Sequence, residues 1–135
     1  MRPPERTKRE LVRQWLAKAE QDTGVAEHLL SERLYYGAVG YHAQQACEKY
    51  LKAFLVEHQV EFPKTHDLGL LLDLAASVSE ELADSLRAAI VLNDYSVDAR
   101  YPGDSPEVGL AEAENAVELA LQVKVRVMEA LGGGA

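Results

Sequence analysis

Apolar residues recur along this chain with the spacing of helices, and almost nowhere with the alternation of strands. Over residues 7–30, Leu11, Trp15, Ala19, Ala26, Leu29 and Leu30 keep mainly helical intervals and predict a first helix, with Gly24 a weak point inside it. A short turn at residues 31–34 leads to a second helix over residues 35–58, despite Gly37 and Gly40. On that second helix, at about 100° per residue, Val39, Ala43, Ala46, Cys47, Tyr50 and Phe54 form one stripe. His42, Gln45, Lys49 and Lys52 form another. The first stripe reads as core and the second as a row of donors and ionisable groups facing water.

Pro63 stiffens the connection that follows and restricts Phe62 before it. Thr65 is then placed to cap a short third helix over residues 67–76, with Asp67 near its positive end. Ser77 followed by Glu80 resembles a capping box and predicts a fourth helix reaching about residue 92, nearly continuous with the third. The string NDYSVDARYPGDS reads as a loop. Ser105 and Pro106 restart a helix that runs to Leu131, and the glycines behind it predict a flexible tail over residues 132–135.

The last helix is apolar over much of its circumference. Ala116, Val117, Leu119, Ala120, Leu121, Val123, Val125, Val127, Met128 and Leu131 spread over roughly 240°, which exceeds the stripe of an ordinary surface helix. Cover on two sides is therefore expected, part of it from a second copy of the chain in a symmetric dimer. With no internal repeat and short connections, the expected fold is all-α: a mostly antiparallel bundle of about five helices, four long and one short, in one domain spanning residues 1–131.

Composition narrows the function. With 47% hydrophobic and 27% charged residues, 135 residues bury a core without staples. Cys47 is the only cysteine, which excludes an internal disulfide and a multi-thiolate zinc site and suits a reducing, cytoplasmic setting. No segment approaches the roughly 20 apolar residues of a membrane span. The net charge of −8 is uneven: residues 1–18 hold six Lys/Arg against two Asp/Glu, and the remainder holds eight against twenty. Most of the surface should therefore repel a phosphate backbone, so a broad nucleic-acid face is not expected.

The chemistry-bearing residues cluster in two strings. In KTHDL, His66 stands at the start of a helix, where anions are favoured. In the late loop, Tyr95, Asp98, Arg100 and Tyr101 combine a guanidinium, able to grip phosphate or carboxylate, with rings able to stack on a base. Lys49 and Gln45 on the second helix could add a cation and an amide. The ligand-binding candidates are thus Gln45, Lys49, His66, Tyr95, Arg100 and Tyr101. No Glu is followed three residues later by His, the four histidines lack a zinc spacing, and no phosphate-binding Gly-rich loop precedes a helix. No metal site and no cofactor are expected.

The block QQACEKYLKAFL, then FPKTHDL, then YSVDARYP resembles, in order and spacing, the HEPN family (higher eukaryotes and prokaryotes nucleotide-binding domain) over about residues 15–131. The resemblance implies a helical bundle, dimers, and a small protein of the kind that accompanies a minimal nucleotidyltransferase as a separate chain. That role is to bind nucleotide or substrate, or to regulate the partner, including in pairs of the toxin and antitoxin type. Ribonucleases of the family resemble one another in an Arg followed by four to six residues and a His, which would join phosphate stabilisation to proton transfer. No Arg here has a His at that spacing, and none lies downstream of Arg100. The expectation is a non-catalytic binding partner; the alternatives are a ribonuclease toxin and a purely structural dimeric bundle.

Overall fold

The computed structural model describes residues 4–96 and 108–132. The order is α1 (Pro4–Ser31), α2 (Tyr36–Glu57), α3 (Leu68–Ala76), α4 (Glu80–Ser85), a 3-10 segment η1 (Arg87–Tyr95) and α5 (Leu110–Ala130). The described residues are helical, as the apolar periodicity predicts. The Ser105 and Pro106 restart, and residues 133–135 of the expected tail, lie outside the described residues.

Helices α1 and α2 end in a way that sequence does not announce. At the end of α1 the Leu34 amide donates to the Leu29 carbonyl and the Arg33 amide to that of Leu30, with Arg33 at φ 56°. At the end of α2 the Val60 amide reaches Leu55 and the Gln59 amide reaches Val56, with Gln59 at φ 57°. These are Schellman closures, usually built on glycine. Here Arg and Gln take the left-handed position, and the satisfied carbonyls offset its cost.

The cap of α3 is Asp67 rather than Thr65. The Asp67 carboxylate accepts from the Gly69 amide at 2.9 Å, while the Thr65 hydroxyl accepts one step earlier, from the Asp67 amide at 3.0 Å. Likewise α4 starts on Ser79, whose hydroxyl accepts from Leu82, and Ser77 instead caps the end of α3. The expected fourth helix to residue 92 tightens after Leu86 into η1.

The central helix is α2, which packs against α1, α3, η1 and α5. Tyr50, Leu51, Phe54 and Leu55 are fully enclosed, meeting Leu68, Leu71 and Leu72 of α3, Leu92 of η1 and Val123 and Val127 of α5. The expectation that α5 is covered on two sides fails within the single chain. Its buried residues, Ala113, Ala116, Val117, Leu119, Ala120, Val123 and Val127, lie toward α2 and α1, while Val125 is 55% exposed.

Cys47 lies wholly inside, and burial pushes its thiol well above the ordinary range. Native protein at mildly alkaline pH should therefore leave a thiol reagent unreacted until denaturant is added; rapid modification without loss of structure would show that the core around the middle of α2 opens.

Candidate functional site

The polar stripe of α2 does not face open water. The loop over residues 58–67 folds back along it, and α1 runs antiparallel beside it, so its charged groups are paired inside a narrow seam. Glu48 is the centre of one cluster. Its carboxylate accepts from the Lys52 ammonium at 2.9 Å and meets His66 Nδ1 at 2.8 Å. Lys52 also donates to the Thr65 carbonyl at 3.0 Å and lies 5.3 Å and 5.7 Å from the ring centroids of Trp15 and Phe62. Two aromatic faces thus enclose an ammonium that the fold has taken out of water.

A second cluster lies on the α1 side. The Asp22 carboxylate receives the Lys49 ammonium at 2.6 Å and meets His42 Nδ1 at 2.9 Å. Buried amides stand beside these ion pairs: Gln44 Nε2 donates to the His66 carbonyl at 2.9 Å, and Gln45 Nε2 donates to Gln44 Oε1 at 2.7 Å. The result is a polar seam of two clusters in which each buried charge has a partner, as burial requires.

This geometry sets the chemistry of His66. Because a carboxylate only accepts, the shared proton sits on Nδ1, and Nε2 is left on the outer edge of a ring whose side chain is 60% exposed. The ring is aimed by the buried Glu48, and Gln44 holds the His66 backbone through its carbonyl. An imidazole so placed offers a ligand one oriented nitrogen, as acceptor when neutral or as donor when protonated.

The late chain returns to the same flank. Asn93 Oδ1 accepts from the Leu68 amide at 2.9 Å and Asn93 Nδ2 donates to the Asp67 carboxylate at 3.1 Å, joining η1 to the start of α3. Tyr95 then lays its ring on α2 at Gly40, where a β-carbon would come within 2.9 Å of the ring. Gly40 is one turn before Gln44, so Tyr95 lies over the flank that carries His66. From this point the chain enters residues 97–107, and the candidates Arg100 and Tyr101 lie there, outside the described residues.

Of the other candidates, Gln45 and His66 join one hydrogen-bonded chain through Gln44. Lys49 is turned away, toward α1, and is paired with Asp22 rather than free for a phosphate. Five residues of the seam were not among the ligand-binding candidates: Asp22, His42, Gln44, Glu48 and Lys52. Asp22 had a signal, since it stands three residues after Ala19 and four before Ala26 on the buried stripe of α1. Gln44, Glu48 and Lys52 had one too, a polar run at intervals of four inside a mostly apolar helix. Among the described residues no group of three His, Cys, Asp or Glu gathers to hold a metal, and no helix is long and apolar enough to cross a membrane.

Comparison with known proteins agrees with this architecture. The structure is similar to the crystal structure of TT1696 from Thermus thermophilus, with a TM-score of 0.70 and 29% sequence identity over 87% of this chain and 96% of that one. A search of curated proteins found no match. The family model of the HEPN domain matches residues 12–130, nearly the whole chain, and this protein belongs to the HEPN family.

Proposed function

We propose that this protein is a non-catalytic member of its family that binds a nucleotide or similar phosphorylated ligand beside His66 and serves as the binding or regulatory partner of a minimal nucleotidyltransferase, in a pair of the toxin and antitoxin type. The observation that carries the ligand reading is the exposed imidazole of His66, its ring fixed by buried Glu48 and its backbone by Gln44, on the flank where Tyr95 leads into the segment with Arg100 and Tyr101. A preoriented nitrogen, an aromatic ring and an arginine-bearing segment supply recognition of an anion joined to a planar base. The missing Arg and His pairing is why no cleavage step is assigned.

The test is thermal unfolding with nucleotides at millimolar concentration. A ligand that binds only the folded state stabilises it by about 2.7 kcal/mol at a hundred times its dissociation constant. A rise in Tm with at least one nucleotide is expected, lost in His66→Ala and in Arg100→Ala. No shift with any nucleotide refutes the ligand reading. Copurification with a nucleotidyltransferase encoded beside this chain checks the partnership.

A further inference from the structure

We propose that the cavity where α2 and α5 end binds a free α-amino acid with an apolar side chain, its carboxylate on Arg126 and its ammonium on Glu81 and Glu129. This is a second site, separate from the one at His66.

Two long helices stop at one end of the bundle. His58 closes α2, Glu129 and Ala130 are the last residues of α5, and α4 begins beside them, which leaves a cavity of about 380 Å³ between the three. That volume is at the small end of the range for ligand sites, so it suits a small molecule. Phe54, Val78, Leu82 and Ala130 form its apolar wall. The His58 ring lies against Phe54 with centroids 4.6 Å apart, and Val78 is 39% exposed, so part of this wall stands open.

The charges around the cavity carry both signs. The Arg126 guanidinium lies on one wall, and its one acceptor among the described residues is the Glu81 carboxylate at 3.4 Å, on a side chain that is 87% exposed. A guanidinium fully engaged with a carboxylate sits at about 2.8 Å and offers two parallel donors, so Arg126 keeps capacity for a second carboxylate. A plain anion is nevertheless poorly matched. Glu81 and Glu129 line the same cavity, and the carbonyl ends of α2 and α5 add negative partial charge there. These features favour an ammonium group, yet a plain amine meets the Arg126 cation. A molecule that joins a carboxylate and an ammonium on one carbon, with an apolar side chain for Val78 and Leu82, matches every group.

The cavity is also distant from the first site. Glu48, which fixes the His66 ring, precedes His58 by ten residues, about 15 Å of rise along α2. Occupancy here is therefore independent of any nucleotide at His66.

The experiment is isothermal titration calorimetry of the full chain with L-leucine, L-methionine and L-phenylalanine. At least one is expected to bind, and the same molecule without its amine, or without its carboxylate, should bind about tenfold more weakly or worse, since a charged group of the site is then left unpaired. Arg126→Gln and Glu129→Gln should each weaken binding by about tenfold or more, and His66→Ala should leave it unchanged. Glu129 is exposed on the last turn of α5, so its variant keeps the fold, and circular dichroism checks both. No binding of any of the three, an analogue without its amine that binds as well as its parent, an affinity unmoved in Arg126→Gln or in Glu129→Gln, or loss of binding in His66→Ala would each overturn the proposal.

Discussion

Replacing Glu48 with alanine is expected to lower stability by about 3–5 kcal/mol, the range for breaking a buried ion pair on one side only. In a domain of this size that corresponds to a fall in Tm of about 10 °C or more. The side chains of Glu48 and Lys52 are 4% and 8% exposed, so the variant leaves an ammonium inside the protein with one carbonyl and two ring faces for company. Lys52→Ala should cost a comparable amount, stranding the carboxylate instead. Replacing both with methionine should cost far less than the two single losses together, because the penalty lies in the unpaired charge rather than in the absence of the pair. Thermal and urea unfolding of the four proteins check this. A loss below about 1 kcal/mol in Glu48→Ala, the value of an exposed pair, would show that water enters the seam. The same variant unfastens His66 Nδ1, so any nucleotide-dependent rise in Tm should fall with it.

Two helical glycines should respond with opposite signs. Gly40→Val is expected to destabilise by about 1–3 kcal/mol, the cost of forcing methyl groups into a filled site, since its β-carbon alone would stand 2.9 Å from Tyr95 Cγ. The strain is relieved only by moving the Tyr95 ring, which also shifts the entry to residues 97–107. Gly24→Ala in the middle of α1 meets nothing within 4 Å and should stabilise by about 0.5–1 kcal/mol through helix propensity. Denaturant midpoints of the two variants decide the matter. If Gly40→Val is neutral, Tyr95 does not rest against α2 in solution, and the link between residues 97–107 and His66 fails with it.

Long elements were legible because each buries one face against a neighbour, and that leaves a period in the apolar residues. The two main helices and the short α3 could be read this way; membership in the family was legible instead in three separated strings, QQACEKYLKAFL, FPKTHDL and YSVDARYP. Capping was legible only in part. Asp67 and Ser79 are standard caps, but each competed with a hydroxyl two residues before it, and the choice turned on backbone angles. The left-handed Arg33, Tyr35 and Gln59 carry no signal, since none is a residue type that prefers that conformation.

By itself, the order of residue types determined that the chain is an all-helical bundle, which stripe of α2 is core, and that His66 and Asp67 open a helix after a proline turn. Only the tertiary structure decided what the polar stripe does. A hydrophobic period reports the distance of each position from one neighbouring surface, and α2 has neighbours nearly all round, so its second face was covered without becoming apolar. The partners that made this tolerable come from far along the chain, Asp22 for Lys49 and His66 for Glu48, and no local pattern relates them. Pairing removed Lys49 from the anion-binding role its position suggested and gave His66 a fixed direction. The opposite occurred on α5, where apolar residues that predicted cover lie open in the single chain because the bundle has too few helices to enclose a second central member.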